Sequence, residues 1–423
     1  MRAGNFRELN DRVLSMNVLH INQSDLSGGA AIAAYRLHQG LLQQGMASKL
    51  LVGQVTQSHP LVAPTPIMPF RKKLKNLADA LGLNYVTQWG TGAIQKHPFY
   101  QAADVLNFHN LHGGYFNYLF LPQLTQTKPA IYTLHDMWSF TGHCAYSFDC
   151  DRWQKGCGRC PYPDTYPQIK RDSTAIEWKL KHWVYHHARL TIVTPSQWLM
   201  NQVKLSMLNH LDIYHIPNGI DLQIYRPLQP EICRNFLGIN HKKYVLLTSS
   251  LNFYDPRKGS DLLIQALNLL PGALKSAAIL LTMGRAGDAL EKEVDMEVYS
   301  LGYIHLDRLK AGIFSAADLF IFPTRGDIFG LVAQEAMACG TPTVAFDVGG
   351  VSELVRPGMT GALAEPENAQ DLAQKIEQLL IDPETRARMS RNGREIAIKE
   401  YDLALQAQRY IELYQQVQKN AIK

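Results

Sequence analysis

The sequence predicts an α/β protein of two Rossmann-like, doubly wound domains facing a central cleft. Strand-like and helix-like stretches alternate along the chain, the alternation restarts once after a turn-rich stretch, and 423 residues are too many for one ordinary core. Domains usually hold roughly 100–200 residues. Apolar residues make up 46% and charged residues 19%, the balance of a soluble globular chain rather than a disordered one.

Residues 1–16 read as a disordered tail, because patterning begins only near Asn17. Val18-Leu19-His20-Ile21 is a short apolar strand. A polar, Gly-containing loop leads into a helix from Ala30 to Leu42 that stops at Gly45, and Lys49-Leu50-Leu51-Val52 is the next strand. This strand–helix–strand unit implies a parallel sheet. Val105 to His109, Ala130 to Leu134 and Leu190 to Thr194 repeat the pattern, and Pro195-Ser196 opens a helix at the first-turn position proline prefers. Residues 138–170, rich in Cys, Trp, Tyr, Pro and Gly, read as an irregular insertion. Ile216-Pro217-Asn218-Gly219-Ile220-Asp221, with Pro227 and Pro230 beyond, marks the boundary between a domain over 17–220 and one over 221–400. Strands follow at Tyr244–Thr248, Ala278–Met283, Ala317–Phe322 and Thr343–Phe346. A helix spans Asp261–Leu270, and further helices lie at 370–381, 384–397 and about 403–419. The segment 401–423 is expected to pack back on the first domain. Ligands in such sheets bind beyond the carboxyl ends of the strands.

Charge narrows the function. A net charge of +5 permits an anionic ligand without the basic stripe of a nucleic-acid binder. The sharpest basic run, Arg71-Lys72-Lys73-Leu74-Lys75, reads as a solvated helix face or as a patch for anionic lipid headgroups. No apolar run reaches about 18 residues and no signal-peptide core is evident, so a cytoplasmic protein is expected. In that compartment Cys144, Cys150, Cys157 and Cys160, within one short segment, suggest metal or redox chemistry. Two readings stay open for them: a structural zinc in a four-thiolate site, or reduced thiols or a labile disulfide pair.

The most informative segment runs from Phe322 to Pro342. A strand ends, a loop carrying Gly326 and Gly330 follows, and a helix starts near Gly330. Free amides at a helix start bind phosphate, and glycine lets backbone approach a ligand. Asp327 on the loop and Glu335 on the helix can grip hydroxyls on either side of a phosphate, which suits a nucleotide sugar.

This segment resembles the acidic-x7-acidic signature of retaining glycosyltransferases of the GT-B fold, specifically glycosyltransferase family 4, and the resemblance extends from about residue 17 to 415. It implies that Asp327, where the family usually has Glu, contacts the donor sugar, that Glu335 holds the ribose, and that the Phe329-Gly330-Leu331 amides meet sugar and diphosphate. It likewise implies that Lys258, in Asp255-Pro256-Arg257-Lys258-Gly259, neutralises the diphosphate. Arg257 would stand in for an arginine the family often has where this chain has Phe253. Gly28-Gly29 would face the diphosphate and acceptor, His135 the donor sugar, and Gly284 the nucleotide, with Ile216–Asp221 as hinge. Trp138-Ser139-Phe140-Thr141-Gly142 with the four cysteines resembles an exopolysaccharide or colanic-acid-type subgroup. The implied reaction uses a nucleoside diphosphate sugar and a saccharide or lipid-linked acceptor, needs no catalytic cofactor, and takes place in the cytoplasm or at the inner membrane face. A nucleotide-sugar epimerase on the same fold and a non-catalytic nucleotide-sugar binder are the alternatives.

Overall fold

The structure, a computed structural model, describes residues 16–67, 78, 82, 83, 85–240 and 243–422. Residues 1–15 of the expected tail and the basic run at Arg71, Lys72, Lys73 and Lys75 lie outside the described residues. The chain divides into two compact units, 1–219 with 403–423, and 220–402.

The first unit runs β1 (Asn17–Ser24), α1 (Gly29–Gln43), β2 (Ala47–Gln54), β3 (Val62–Pro64), α2 (Pro98–Ala102), β4 (Val105–Phe108), α3 (Leu121–Leu124), β5 (Ala130–Thr133), α4 (Thr174–His187), β6 (Thr191–Thr194), α5 (Gln197–Lys204) and β7 (Ile213–His215). Its strands pair in parallel in the order β3-β2-β1-β4-β5-β6-β7. The central strands β4 and β5 are buried along their whole length, which is why they read as continuous apolar runs. The helix after β6 starts two residues later than a first-turn Pro195 would place it. Ser196 is its N-cap, accepting from Leu199 N–H at 3.2 Å, and Pro195 precedes the cap. A hydroxyl that satisfies an orphan amide decides the start here.

The second unit runs α6 (Pro230–Phe236), β8 (Tyr244–Asn252), α7 (Ser260–Asn268), α8 (Gly272–Ala277), β9 (Ala278–Arg285), β10 (Glu297–Ser300), α9 (Asp307–Ala316), β11 (Leu319–Phe322), α10 (Leu331–Ala338), β12 (Thr343–Phe346), β13 (Gly361–Ala364), α11 (Ala369–Ile381) and α12 (Pro383–Glu400). Its parallel sheet has the order β10-β9-β8-β11-β12-β13. Leu247, Leu281 and Phe320 pack on one face, and Leu246, Leu280 and Ile321 on the other, so the strands are buried from both sides.

The last helix, α13 (Leu403–Ile422), belongs to the first unit. Tyr410 and Tyr414 enter the core with Val105, Ile131 and Val193. Their hydroxyls are satisfied there: Asn107 Nδ2 donates to Tyr414 at 2.8 Å, and Tyr410 Oη lies 3.0 Å from Thr133 Oγ1. Gly40 on α1 makes room, since a Cβ there would come within 3.0–3.2 Å of Leu403 and Ala407 side-chain atoms.

Candidate active site

In the second sheet the strand order reverses between β8 and β11, which aims ligands at the loops that follow those two strands. Both loops carry the residues singled out by sequence. Asp255 caps a short 3-10 turn, accepting from Arg257 N–H at 3.0 Å, and this presents Arg257 and Lys258 side by side. Gly259 then takes a φ of 69°, and a Cβ there would lie 1.9 Å from the Pro323 carbonyl oxygen. Only glycine lets the β8 loop close on the β11 loop. Arg325 N–H completes that closure, donating to the Arg257 carbonyl at 2.8 Å.

Across the junction, Lys258 Nζ lies 3.0 Å from Asp327 Oδ2, and Arg257 Nη1 4.0 Å from the same oxygen. Burial by itself would raise the Asp327 pKa, but the Lys258 ammonium and then Arg257 hold it below the ordinary carboxylate value. Burial lowers Lys258, and Asp327 offsets part of that loss. Arg257 also donates to the Gly326 carbonyl at 2.9 Å, so part of its guanidinium is spent on the loop itself. Arg325, which sequence inspection did not single out, is bound by Asp261 at 2.7 Å and Glu367 at 2.9 Å and acts as a loop tie.

Gly330, with a φ of 91°, precedes α10. The amides of Leu331 and Val332 fall in the first turn, which the helix itself does not satisfy. Phe329 is buried beneath them and Leu331 is half-buried. Glu335, one turn further along, is buried on α10. Gly284, at the end of β9, has a φ of 147°, and a Cβ would meet the Ser250 carbonyl oxygen at 1.7 Å. These residues therefore stand around the carboxyl ends of β8, β9 and β11 in one unit.

In the first unit the reversal falls between β1 and β4. Gly28, with a φ of 93°, and Gly29 lead into α1. The loop before them is pinned by buried Asp25, which accepts from Thr56 N–H at 2.9 Å, Thr56 Oγ1 at 2.8 Å and Gln57 N–H at 3.1 Å. Burial opposes that charge, yet these bonds keep its pKa low. His135 follows β5 and is half-buried. Next to it, Asp136 takes a bond from His112 Nε2 at 2.7 Å and from Trp138 N–H at 2.9 Å. Asp25, His20, His109 and His112 were missed by sequence inspection. The signal for His109 was present, since it ends its strand as His135 does.

The four clustered cysteines lie in the irregular segment of the first unit. Cys144, Cys150, Cys157 and Cys160 are free, and among the described residues no group of three or more His, Cys, Asp or Glu is placed to hold a metal ion. The four thiols feel one another electrostatically, and two of the sulfurs have further partners. Gly142 N–H donates to Cys157 Sγ at 3.2 Å, and His143 Nε2 lies 3.1 Å from Cys160 Sγ. Burial pushes the Cys144 thiol up to about 12 and the Cys157 thiol up to about 11, which favours neutral thiols. The aromatic residues of the same segment divide between core and surface. Trp138, Phe140 and Trp153 are buried in the core, and Lys181 Nζ sits 3.6 Å over the Trp138 ring while donating to the Trp138 and Thr141 carbonyls. Tyr146 stacks on Trp198.

Two parallel-sheet units with glycine-bearing loops at their strand ends define a two-unit, doubly wound α/β architecture. Comparison with known proteins places it further. Residues 27–224 match the family model Glycosyltransferase Family 4, and residues 231–396 match Glycosyl transferases group 1. The chain is 27% identical over 384 residues to WcaC of Escherichia coli K12, named for colanic acid biosynthesis, covering 84% of this chain and 89% of that one. It is 31% identical over 234 residues to a GDP-mannose-dependent phosphatidylinositol monomannoside mannosyltransferase of Corynebacterium glutamicum, covering 52% and 60%. In an Arthrobacter D-inositol 3-phosphate glycosyltransferase the match spans 45% of the relative's length. Among solved structures, sucrose-phosphate synthase from Thermosynechococcus elongatus aligns with a TM-score of 0.70 at 21% identity, covering 95% of this chain and 99% of that one. Anabaena HepE in complex with UDP-glucose aligns at 0.67 and 19% identity, covering 95% and 100%. The chain is a glycosyltransferase of the GT-B fold.

Proposed function

We propose that the chain is a retaining glycosyltransferase that moves a sugar from a nucleoside diphosphate sugar to a saccharide or lipid-linked acceptor, in polysaccharide or glycolipid synthesis. The observation that carries this reading is the Lys258–Asp327 pair set beside the start of α10. In this reading a cation, first-turn amides and two carboxylates, on the loops and helix that follow the strand ends, serve a diphosphate and its two flanking sugars. Lys258 neutralises the diphosphate as charge grows on it, with Arg257 supporting. Asp327, Phe329, Gly330 and Leu331 take the donor sugar and phosphate, Glu335 the ribose, and Gly284 the nucleotide. In the first unit His135 is assigned to the donor sugar and Gly28-Gly29 to the diphosphate and acceptor.

Catalysis then rests on positioning and on charge stabilisation rather than on a covalent nucleophile. In a front-face transfer the leaving phosphate accepts the proton of the acceptor hydroxyl, so the donor's configuration is retained. Because Lys258 and the amides meet the developing charge, transfer should survive chelation of Mg2+ and Mn2+. The relatives named for colanic acid and phosphatidylinositol mannoside support a saccharide or lipid-linked acceptor, and the complex of HepE with UDP-glucose supports a nucleotide-sugar donor. No helix among the described residues is long and apolar enough to cross a membrane. Cytoplasmic location, with contact at the inner face through Arg71, Lys72, Lys73 and Lys75, is proposed from sequence alone.

The test is a screen of UDP-, GDP- and ADP-sugars for hydrolysis and transfer by the purified protein, with the product anomer read by NMR. One donor should be consumed with retained configuration. Consumption of none, inversion at the anomeric carbon, or conversion of the donor alone into an epimer would overturn the proposal.

A further inference from the structure

Three imidazoles stand in file across the first sheet. His20 lies in β1, His109 just after β4 and His135 just after β5, and these three strands are neighbours in that order. His20 Nδ1 is 2.9 Å from His109 Nε2, and His109 Nδ1 is 2.9 Å from His135 Nε2. The rings stack at 5.2 Å between centroids, tilted by 26° and 23°. His20 and His109 are fully enclosed, whereas His135 is half-buried, so the file runs from the core to the ligand-facing strand ends.

A neutral imidazole has one N–H and one lone pair. Both nitrogens of His109 are committed, so its tautomer sets the direction of both bonds, and the file has two self-consistent states. Either all three rings carry their proton on Nδ1, or all three carry it on Nε2. The two states differ at the closed end. His20 Nε2 is buried with no hydrogen-bond partner among the described residues. In the second state that atom is an orphaned N–H. In the first it is only an unused lone pair, and native proteins tolerate an orphaned acceptor better than an orphaned buried N–H. The charged form is disfavoured along the file. Burial, with His38 adding to it, lowers His20 well below its ordinary value. Burial, with the flanking imidazoles adding to it, does the same to His109. Burial takes His135 down to about 4 despite the neighbouring Asp136 carboxylate.

We propose that His20 and His109 are positioning residues that lock His135 as its Nδ1–H tautomer, so that its open nitrogen offers a hydrogen-bond donor to a ligand oxygen. In its functional consequence this rests on the assignment of His135 to the donor sugar. A sugar hydroxyl is both donor and acceptor, so a fixed N–H obliges it to accept here and sets the direction of its remaining bond. The tautomer of a histidine is set by the bond its other nitrogen makes. Here that bond is fixed two residues deep.

The test uses the full chain labelled with 15N-histidine, read by the nitrogen shifts that distinguish protonated from bare imidazole nitrogens. All three rings should show a protonated Nδ1 and a bare Nε2 at neutral pH. A protonated Nε2 on His135 would overturn the proposal without any variant. His109→Asn keeps an amide N–H near the lost Nδ1 and should preserve the His135 tautomer with most of the transfer activity. His109→Leu should release it toward Nε2–H, with kcat/KM for the donor falling about tenfold. Unchanged His135 shifts in a folded His109→Leu protein would also sink it. If His135→Ala transfers sugar like wild type, the donor-contact assignment fails while the nitrogen shifts still decide the tautomer.

Discussion

Lys258 Nζ and Asp327 Oδ2 form a 3.0 Å ion pair between the loops that follow β8 and β11. Both side chains are partly enclosed, at 19% and 22% exposure, so neither is a freely solvated surface charge. In the proposed function, the cation assigned to the diphosphate is thus held by the carboxylate assigned to the donor sugar. Lys258→Ala removes the cation and also leaves Asp327 without its main partner. Loss of one positioned electrostatic group typically lowers kcat by roughly 10²–10³, and Lys258→Ala should fall in that range with a smaller change in donor Kd. Steady-state kinetics beside calorimetric binding of the matching nucleoside diphosphate separates the two. Equal losses in binding and turnover would mean that Lys258 serves ground-state binding alone.

The same pair carries a pH dependence. The Asp327 carboxyl is held below the ordinary carboxylate value, as are Asp25 and Asp136. A folded-state pKa below the unfolded one stabilises the fold at pH values above the unfolded pKa, and the stabilisation is lost as pH falls through the folded pKa. Thermal stability should therefore stay level as neutral buffer is taken to about pH 5 and fall below about pH 4. Asp25→Asn, Asp136→Asn and Asp327→Asn should each flatten that acid limb. An acid limb unchanged in all three variants would place its origin in other carboxylates.

Glu335 tests the nucleotide end. Its carboxylate is buried on α10, and Glu335→Gln keeps the shape while replacing a charged acceptor by a neutral one. Hydrogen bonds to charged groups contribute about 1.5–3 kcal/mol. Donor affinity should weaken roughly 10- to 100-fold with little change in melting temperature. The preference for a nucleoside diphosphate over its 2′,3′-dideoxy analogue should be weaker in the variant than in wild type, because a neutral acceptor replaces a charged one. If the variant still prefers the ribose form as wild type does, the ribose lies elsewhere.

Much of this arrangement was legible in the sequence, and what escaped has a common cause. The four strands not foreseen, Val62–Pro64, Ile213–His215, Glu297–Ser300 and Gly361–Ala364, are the outermost strands of the two sheets. An outer strand pairs on one side only and stays short, so it lacks the long apolar run that marks a strand buried on both faces. The Asp327–Glu335 segment stood out because a loop, a glycine and a helix start must follow one another locally. The imidazole file did not, because His20, His109 and His135 are far apart in the chain and meet only through strand order. The role of Arg325 was hidden for the same reason, since Asp261 and Glu367 reach it from two other elements.

Gly259 is the joint on which the second-unit site depends. Its φ of 69° disfavours side chains, and a Cβ would overlap the Pro323 carbonyl at 1.9 Å. A single strained backbone position costs of order 1–3 kcal/mol, and relief here requires the two loops to part. Gly259→Ala should lower the melting temperature by several degrees and abolish most transfer, because Lys258 moves with the loop. Gly238→Ala is the control: its φ of 70° is similar, but no atom lies within 4 Å of the added Cβ. It should lose stability and keep its kcat. Loss of kcat in both would show that general destabilisation, not the loop contact, is responsible.

The cysteine cluster makes the last prediction. A thiol alkylates as its thiolate, so burial that favours the neutral form slows it. Burial raises Cys144 to about 12 and Cys157 to about 11, well above an ordinary thiol, so at pH 8 both should react with iodoacetamide far more slowly than in the urea-unfolded chain. A raised folded-state pKa means that the folded chain keeps protons the unfolded chain releases. Stability from these groups is therefore complete below about pH 9 and declines as pH rises toward 11–12. Protection by a four-thiolate zinc would look similar at pH 8, but it would require the four sulfurs to gather within about 2.3 Å of one centre. The chelator 1,10-phenanthroline separates the two causes. Labelling read by mass spectrometry should be unchanged by chelator, because the Gly142 and His143 contacts and burial supply the protection. Faster labelling of all four cysteines after chelation, with near one zinc per chain beforehand, would reverse that outcome and make the segment a metal-bound knuckle.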